Sequence, residues 1–144
     1  SIELNQELDV LDEKSILEGK RVLLVEDNDL NAEIAQTLLE DKGIKVTWAK
    51  DGLEAVMMVK ENAMDCFDCI LMDIQMPNMD GYKATDCIRH LSQPEKANIP
   101  IIAMSANAFE EDRKDCLDAG MSEHVSKPIK IQSLLQTIES VLRK

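Results

Sequence analysis

Five side chains able to do chemistry sit at the ends of short runs along this chain. Glu26 and Asp27 follow Val22-Leu23-Leu24-Val25, and Asp73 closes Cys69-Ile70-Leu71-Met72. Ser105 follows Ile101-Ile102-Ala103-Met104, and Lys127 follows the short stretch that ends at Ser126. A carboxylate at the end of a buried run is delivered rigidly to one place. Three such carboxylates a few ångströms apart repel, so they call for a cation or for raised pKa values. Hard oxygen donors with open positions suit Mg²⁺, which takes one or two carboxylates, keeps waters and binds phosphate oxygens. Lys127 adds a fixed positive charge, and Ser105 adds a hydroxyl donor. Cation, ammonium and hydroxyl around one carboxylate are the parts that hold a transferring phosphoryl group, a reaction governed by positioning and charge neutralisation. The carboxylate can itself accept that group as an aspartyl phosphate.

Each residue also has an ordinary use. Glu26 and Asp27 could favour the first turn of a following helix, Ser105 could cap one, and Lys127 before a proline could be a surface lysine. The coincidence of all of them at strand ends favours the site. Asp27-Asn28-Asp29-Leu30-Asn31 opens like a calcium loop, but Ala32 stands at its sixth position and Leu38 at its twelfth, where glycine and glutamate are needed.

The elements that must position these groups follow from periodicity. Strands are predicted over Arg21 to Val25, Lys45 to Trp48, Cys69 to Asp73, Ile99 to Met104 and Ser122 to Ser126. Helices are predicted over Asn28 to Lys42, Gly52 to Asn62, Tyr82 to Leu91, Phe109 to Ala119 and Ile129 to Leu142. Ile34, Leu38 and Leu39 are expected on the inner face of the first, and Ile131, Leu134, Leu135, Ile138 and Val141 on that of the last. Strands that are apolar at nearly every position, alternating with helices, predict an α/β doubly wound domain with a parallel sheet covered on both faces. Ligands of such sheets bind outside the carboxyl ends of the strands. Strand 2 ends on Ala49-Lys50 and offers nothing comparable.

The bulk composition agrees. A chain of 144 residues is one domain long, and 44% hydrophobic content with only 3% aromatic predicts an aliphatic core. A net charge of −12 argues against direct contact with nucleic acid, which needs clustered Lys and Arg. No apolar run approaches the roughly 20 residues of a membrane span, and no membrane contact is expected. The amino end has neither the basic start nor the apolar centre of a signal peptide. Residues 1–19 are expected to be a linker or short helix, and 20–144 the domain. The start at Ser1 suggests a piece of something longer. Of four cysteines, Cys66 and Cys69 have CxxC spacing, but with no second pair and only His90 and His124 elsewhere they read as a loop and a strand cysteine in a reducing compartment.

Four stretches, VEDN at 25–28, LMDIQMPNMDG at 71–81, MSA at 104–106 and SKP at 126–128, together resemble the receiver domain of two-component response regulators. The resemblance covers about residues 20 to 143. It implies a flavodoxin-like (βα)5 fold with strand order 2-1-3-4-5. It implies that Asp73 accepts a phosphoryl group from a phosphohistidine. Asp27 and Asp73 would bind Mg²⁺, or Mn²⁺ as the alternative ion, with Glu26 acting largely through water and the backbone carbonyl of Gln75 completing the shell. Lys127 would contact the phosphate, and Ser105 would swing onto it. That movement is coupled in the family to a Tyr or Phe at the position held here by His124. Gln75 and Asn107 occupy the positions that tune phosphate lifetime. Phosphorylation would reshape the face made by the fourth helix, the fifth strand and the last helix.

VEDNDLNAEIAQTLLEDKG and IIAMSANAF look like receivers attached to hybrid sensor histidine kinases. The expected partners are a histidine kinase core, a histidine phosphotransfer domain, or both. The expected place is the cytoplasm, with a parent kinase anchored in the inner membrane. A stand-alone regulator acting by protein contact is the alternative. A Mg²⁺-dependent aspartyl-phosphate phosphatase is more distant, because Gln75 holds the position where that class wants a second acid. A receiver-like module that binds without phosphorylation is opposed by the complete acid, serine and lysine set.

Overall fold

The computed structural model describes residues 16–61, 67–76, 78–106 and 110–143. Five strands form one parallel sheet: β1 (Arg21–Val25), β2 (Lys45–Ala49), β3 (Cys69–Asp73), β4 (Ile101–Ser105) and β5 (Glu123–Ser126). Their order is β2-β1-β3-β4-β5, as expected. The helices are α1 (Asp29–Glu40), α2 (Gly52–Glu61), α3 (Gly81–Arg89), α4 (Pro94–Ala97), α5 (Glu110–Asp118) and α6 (Ile131–Leu142). All five residues of β3 and of β4 are buried. This is the burial of central strands covered on both faces, and it explains their unbroken apolar runs.

Two apolar layers flank the sheet. One gathers Leu23, Val25, Ile70, Met72, Ala55, Val59, Ala84 and Ile88; the other gathers Val22, Leu24, Leu71, Ile102, Leu134, Leu135, Ile138 and Val141. Alternate residues of each strand enter opposite layers, because successive side chains point to opposite faces. On the inner face of α6, Leu134, Leu135, Ile138 and Val141 are buried as expected, while Ile131 is only partly buried against the same layer. The expected face of α1 is met only at Leu39, which is buried. Its buried residues are Ala32 and Leu39, while Ile34 is 51% and Leu38 37% exposed. Ala32 and Leu39 lie seven apart and share a face, whereas Leu30, Ile34 and Leu38 form an i, i+4 row on another flank.

The helix α4 went unpredicted, and its Lys96 is buried to 2% exposure. The Lys96 Nζ donates to the Lys60 carbonyl at 2.9 Å, so a cation meets the carbonyl end of α2. Arg89 ties the approach to β4 in place: Nε donates to Gly120 O, and Nη1 to Ala97 O and Ile99 O. Leu17 is buried in the core beside β1, and the Gly19 N–H donates to Gly43 O at 2.7 Å. The remainder of the expected linker, residues 1–15, lies outside the described residues, as does Cys66. Cys69 is fully buried on β3, where burial and nearby Asp68 push its thiol up to about 12.

Asp73 ends β3, and the chain folds straight back over it. The Gly81 N–H donates to Ile74 O at 2.9 Å. A Cβ at position 81 would lie 2.5 Å from the Asp73 carbonyl oxygen and 2.9 Å from Ile74 Cα. Gly81→Ala must therefore push backbone off the end of β3. The expected loss of stability is roughly 1–3 kcal/mol, the range for overpacking, read by denaturant unfolding; unchanged stability would contradict this packing. A second prediction concerns Cys69. The folded chain holds the thiol proton more tightly than the unfolded chain, so this contribution to stability is complete below pH 9.0 and is lost as pH rises toward about 12. Its alkylation by iodoacetamide near neutral pH, followed by peptide mass spectrometry, is expected only after unfolding.

Candidate functional site

The carboxyl ends of β1, β3, β4 and β5 converge. Carboxylate oxygens of Glu26, Asp27 and Asp73 lie within 4.8 Å of one another. Glu26 and Asp73 are buried, at 3% and 4% exposure, and Asp27 is exposed. Two unit charges this close repel by about 3–4 kcal/mol at the effective dielectric of a protein surface. The Lys127 ammonium offsets that repulsion from inside the group. Its Nζ donates to Glu26 Oε2 at 2.9 Å and to Asp73 Oδ2 at 3.0 Å. One cation therefore joins residues 101 and 54 positions away in the chain.

The electrostatics reflect this sharing. Burial raises the Glu26 carboxyl above its ordinary 4.5, and repulsion from Asp73 adds to the rise, while the Lys127 hydrogen bond opposes it. Burial pulls Lys127 down, but its hydrogen bonds to Glu26 and Asp73 outweigh that and hold it above its ordinary 10.5. Lys127 is thus an ammonium at neutral pH. Three hard oxygen donors with an exposed member match the chemistry of a divalent-cation site.

The loops that carry these groups are individually fastened. Asn28 caps α1 by accepting the Asn31 N–H at 2.9 Å, and its own N–H donates to Glu26 Oε1 at 3.2 Å. The Gln75 N–H donates to Asp73 Oδ1 at 3.1 Å, so Asp73 has both oxygens engaged, one by backbone and one by Lys127. Asp80 caps α3 through the Lys83 N–H. Asn78, in the left-handed region at φ 67°, donates to Asp51 Oδ2 at 3.0 Å and joins the loop after β3 to the loop after β2. The N–H of Glu54 and the Asn78 amide lower the Asp51 carboxyl.

Ser105 is buried as the last residue of β4, and its Oγ lies 2.8 Å from His124 Nε2 on β5. The ring is half-buried and sits beside the hydroxyl. Gln75 is exposed two residues beyond Asp73. Asn107 lies outside the described residues. The structure therefore brings together Glu26, Asp27, Asp73 and Lys127, with Ser105 at the end of β4 paired through its side chain to His124 within β5, in register with Ala103.

Trp48 was missed in the sequence. It lies on β2, the strand that seemed to offer nothing, and its Nε1–H donates to the Glu26 carbonyl at 2.8 Å. The available signal was that Trp48 is the only tryptophan in the chain.

A family model described as the response regulator receiver domain matches residues 22–139. Among similar proteins, hybrid signal transduction histidine kinase I of Dictyostelium discoideum is 40% identical over 127 residues, covering 87% of this chain and 7% of that relative. The chain thus spans a small segment of that kinase. The receiver domain of a sensor histidine kinase from Pseudomonas aeruginosa, solved with a magnesium ion coordinated in its active site cleft, is 38% identical with a TM-score of 0.77, over 88% of this chain and 99% of that one. The receiver domain of the response regulator Ssk1 from Saccharomyces cerevisiae, solved with the histidine phosphotransfer protein Ypd1, is 30% identical with a TM-score of 0.74, over 85% and 88% of the two chains. No helix among the described residues is long and apolar enough to cross a membrane. The matched family, the strand order and the cluster at the sheet's carboxyl edge agree, and the chain belongs to the response regulator receiver domains of two-component phosphorelay.

Proposed function

We propose that Asp73 is the phosphoacceptor of this receiver and takes its phosphoryl group from a phosphohistidine in a Mg²⁺-dependent reaction. The observation that carries this reading is the buried Asp73 carboxylate, delivered by β3 into a cluster of acids and 3.0 Å from the Lys127 ammonium. An Asp73 oxygen attacks phosphorus, the P–N bond to the donor imidazole breaks, and that nitrogen keeps the electron pair. Lys127 neutralises charge on the transferring group, and Ser105 donates its hydroxyl to it. Asp27 and Asp73, with Glu26 through water and the Gln75 carbonyl, would hold Mg²⁺ or Mn²⁺, which supplies further positive charge at the phosphoryl oxygens. His124 serves as the ring that follows Ser105 when it moves, and Gln75 and Asn107 tune how long the phosphate survives.

The donor is proposed to be a histidine kinase core or a histidine phosphotransfer domain, as the pairing of Ssk1 with Ypd1 supports. Its reactive ring must reach the cluster. A groove of about 460 Å³ runs to it between α1 and α6, lined by Ile34, Leu38, Ile129 and Ile131 as well as Glu26 and Lys127. Ile34 and Leu38 line this groove, the exposed Leu30 continues their row along α1, and the row fits the apolar face of a donor helix. The chain is further proposed to be the receiver segment, from about residue 20 onward, of a cytoplasmic hybrid kinase portion. Its likeness to hybrid kinases supports this.

Wild type incubated with Mg²⁺ and acetyl phosphate is expected to gain one phosphoryl mass, and Asp73→Asn none; a modified Asp73→Asn or an unmodified wild type would contradict the assignment. Ile34→Asp is expected to slow transfer from a phosphorylated histidine phosphotransfer domain about tenfold or more, as loss of an interface anchor does, while leaving acetyl phosphate labelling unchanged. The pH dependence follows from Glu26. Its proton is held more tightly in the folded chain, so that contribution to stability is complete below pH 4.5 and is lost as pH rises through the raised value. A bound divalent ion would supply positive charge in place of that proton. The Mg²⁺-induced rise in Tm is therefore expected to be larger at about pH 7.5 than at about pH 5, and an equal rise would contradict it.

A further inference from the structure

Asp27 occupies the least sheltered place in the acid cluster. It is exposed, it follows the last residue tied to the sheet, and it precedes a helix cap. Its side chain direction depends on the two peptide planes that flank it. The second plane is fixed through Asn28, which caps α1 and donates its N–H to Glu26 Oε1. The first plane contains the Glu26 carbonyl. A peptide is planar, so the orientation of that carbonyl also sets the orientation of the Asp27 nitrogen and the position of its Cα.

Both main-chain groups of Glu26 are held by β2. The Glu26 N–H donates to Ala49 O at 3.1 Å, an extension of the parallel ladder in which Val25 pairs with Ala49. The Glu26 carbonyl is held by a side chain, the Trp48 indole N–H at 2.8 Å. Trp48 pairs in register with Leu24, is half-buried against the α1 and α6 layer, and has the Lys50 ammonium 5.8 Å from its ring. Its ring is therefore anchored on its own account, and its one donor is spent on the peptide that carries Asp27.

We infer that Trp48 is a positioning residue of the divalent-cation site: its indole N–H fixes the Glu26–Asp27 peptide plane and so presents Asp27 toward Asp73 before an ion arrives. This rests on the reading of the acid cluster as the Mg²⁺ site. The physical need is plain. Without an ion, three carboxylates within 4.8 Å push one another apart, and of the three the Lys127 ammonium pairs with Glu26 and Asp73. Asp27 is the member whose loop must resist that repulsion through its backbone. With the indole N–H removed, the plane turns, Asp27 moves outward, and the ion must pull it back at the expense of affinity.

The test separates the donor from the ring. Trp48 is replaced by 3-benzothienylalanine, which keeps the two-ring shape and puts sulfur where the N–H was, and by 7-azatryptophan, which keeps the N–H. Trp48→Phe is a genetically encoded second probe. Mg²⁺ binding is measured by calorimetry, the fold by thermal unfolding in EDTA, and acetyl phosphate labelling over a range of Mg²⁺. The benzothienyl and Phe variants are expected to bind Mg²⁺ about three- to tenfold more weakly, the worth of one neutral hydrogen bond. Their labelling rate is expected to return to that of wild type at saturating Mg²⁺, and 7-azatryptophan to restore the wild-type Kd. Wild-type affinity in the benzothienyl variant would overturn the inference alone. Failure of wild type itself to bind Mg²⁺ would overturn it together with the metal reading beneath it.

Discussion

One ammonium shared by two buried carboxylates holds this domain's working edge together. Lys127 reaches Glu26 and Asp73 at 2.9 and 3.0 Å, with those acids only 4% and 5% exposed at their side chains. Removing the cation would leave two buried negative charges facing each other, an arrangement that proteins avoid by pairing or by neutralising. The strand order β2-β1-β3-β4-β5 is what makes the sharing feasible. It sets β1 beside β3 and brings the chain back through β4 to β5, so that a lysine about a hundred positions after Glu26 ends at the same rim. The cluster is unfinished in its charge. Three acids and one lysine leave a net negative site, a standing demand for a divalent ion, while the lysine stands ready to follow charge that appears on Asp73.

Much of this was legible in the sequence because the same residues serve fold and site. Cys69 to Asp73 is apolar until its last residue, and that pattern states both that the strand is central and that its final carboxylate is at the rim. The less legible features are those in which a residue acts against its usual habit. Ile34 and Leu38 read as core because they are large and apolar, yet the small Ala32 lets α1 lie close to the sheet and turns the larger pair outward. Lys96 reads as surface, yet its amine meets the carbonyl end of α2. Trp48 reads as ordinary strand filling, because periodicity reports which face a side chain takes and is silent about where a long polar tip lands. Gly81 stands in the sequence only as the last residue of the stretch at 71–81, while its lack of a Cβ is what lets the chain pass over the carbonyl of Asp73.

The paired Ser105 and His124 extend the same logic one strand further. With the histidine nitrogen 2.8 Å from its oxygen, Ser105 already has a partner before any phosphoryl group is present. A Tyr or Phe ring at position 124 could not offer a ring nitrogen there. In the proposed switch, Ser105 therefore exchanges one hydrogen-bond partner for another, and β5 is tied to the event through a hydrogen bond as well as through packing. A two-state element biased by local charge in this way is how receivers are proposed to carry the signal to the face made by α5, β5 and α6.

The most direct test of the central claim is a crystal structure of the domain with Mg²⁺ and beryllofluoride, which adds to a carboxylate as an analogue of the acyl phosphate. The expected result is beryllium bonded to Asp73, the ion held by Asp27 and Asp73, and the Lys127 ammonium drawn from Glu26 onto a fluoride. An adduct on Glu26 or Asp27, or a Lys127 that stays on Glu26 while Asp73 carries the adduct, would contradict it.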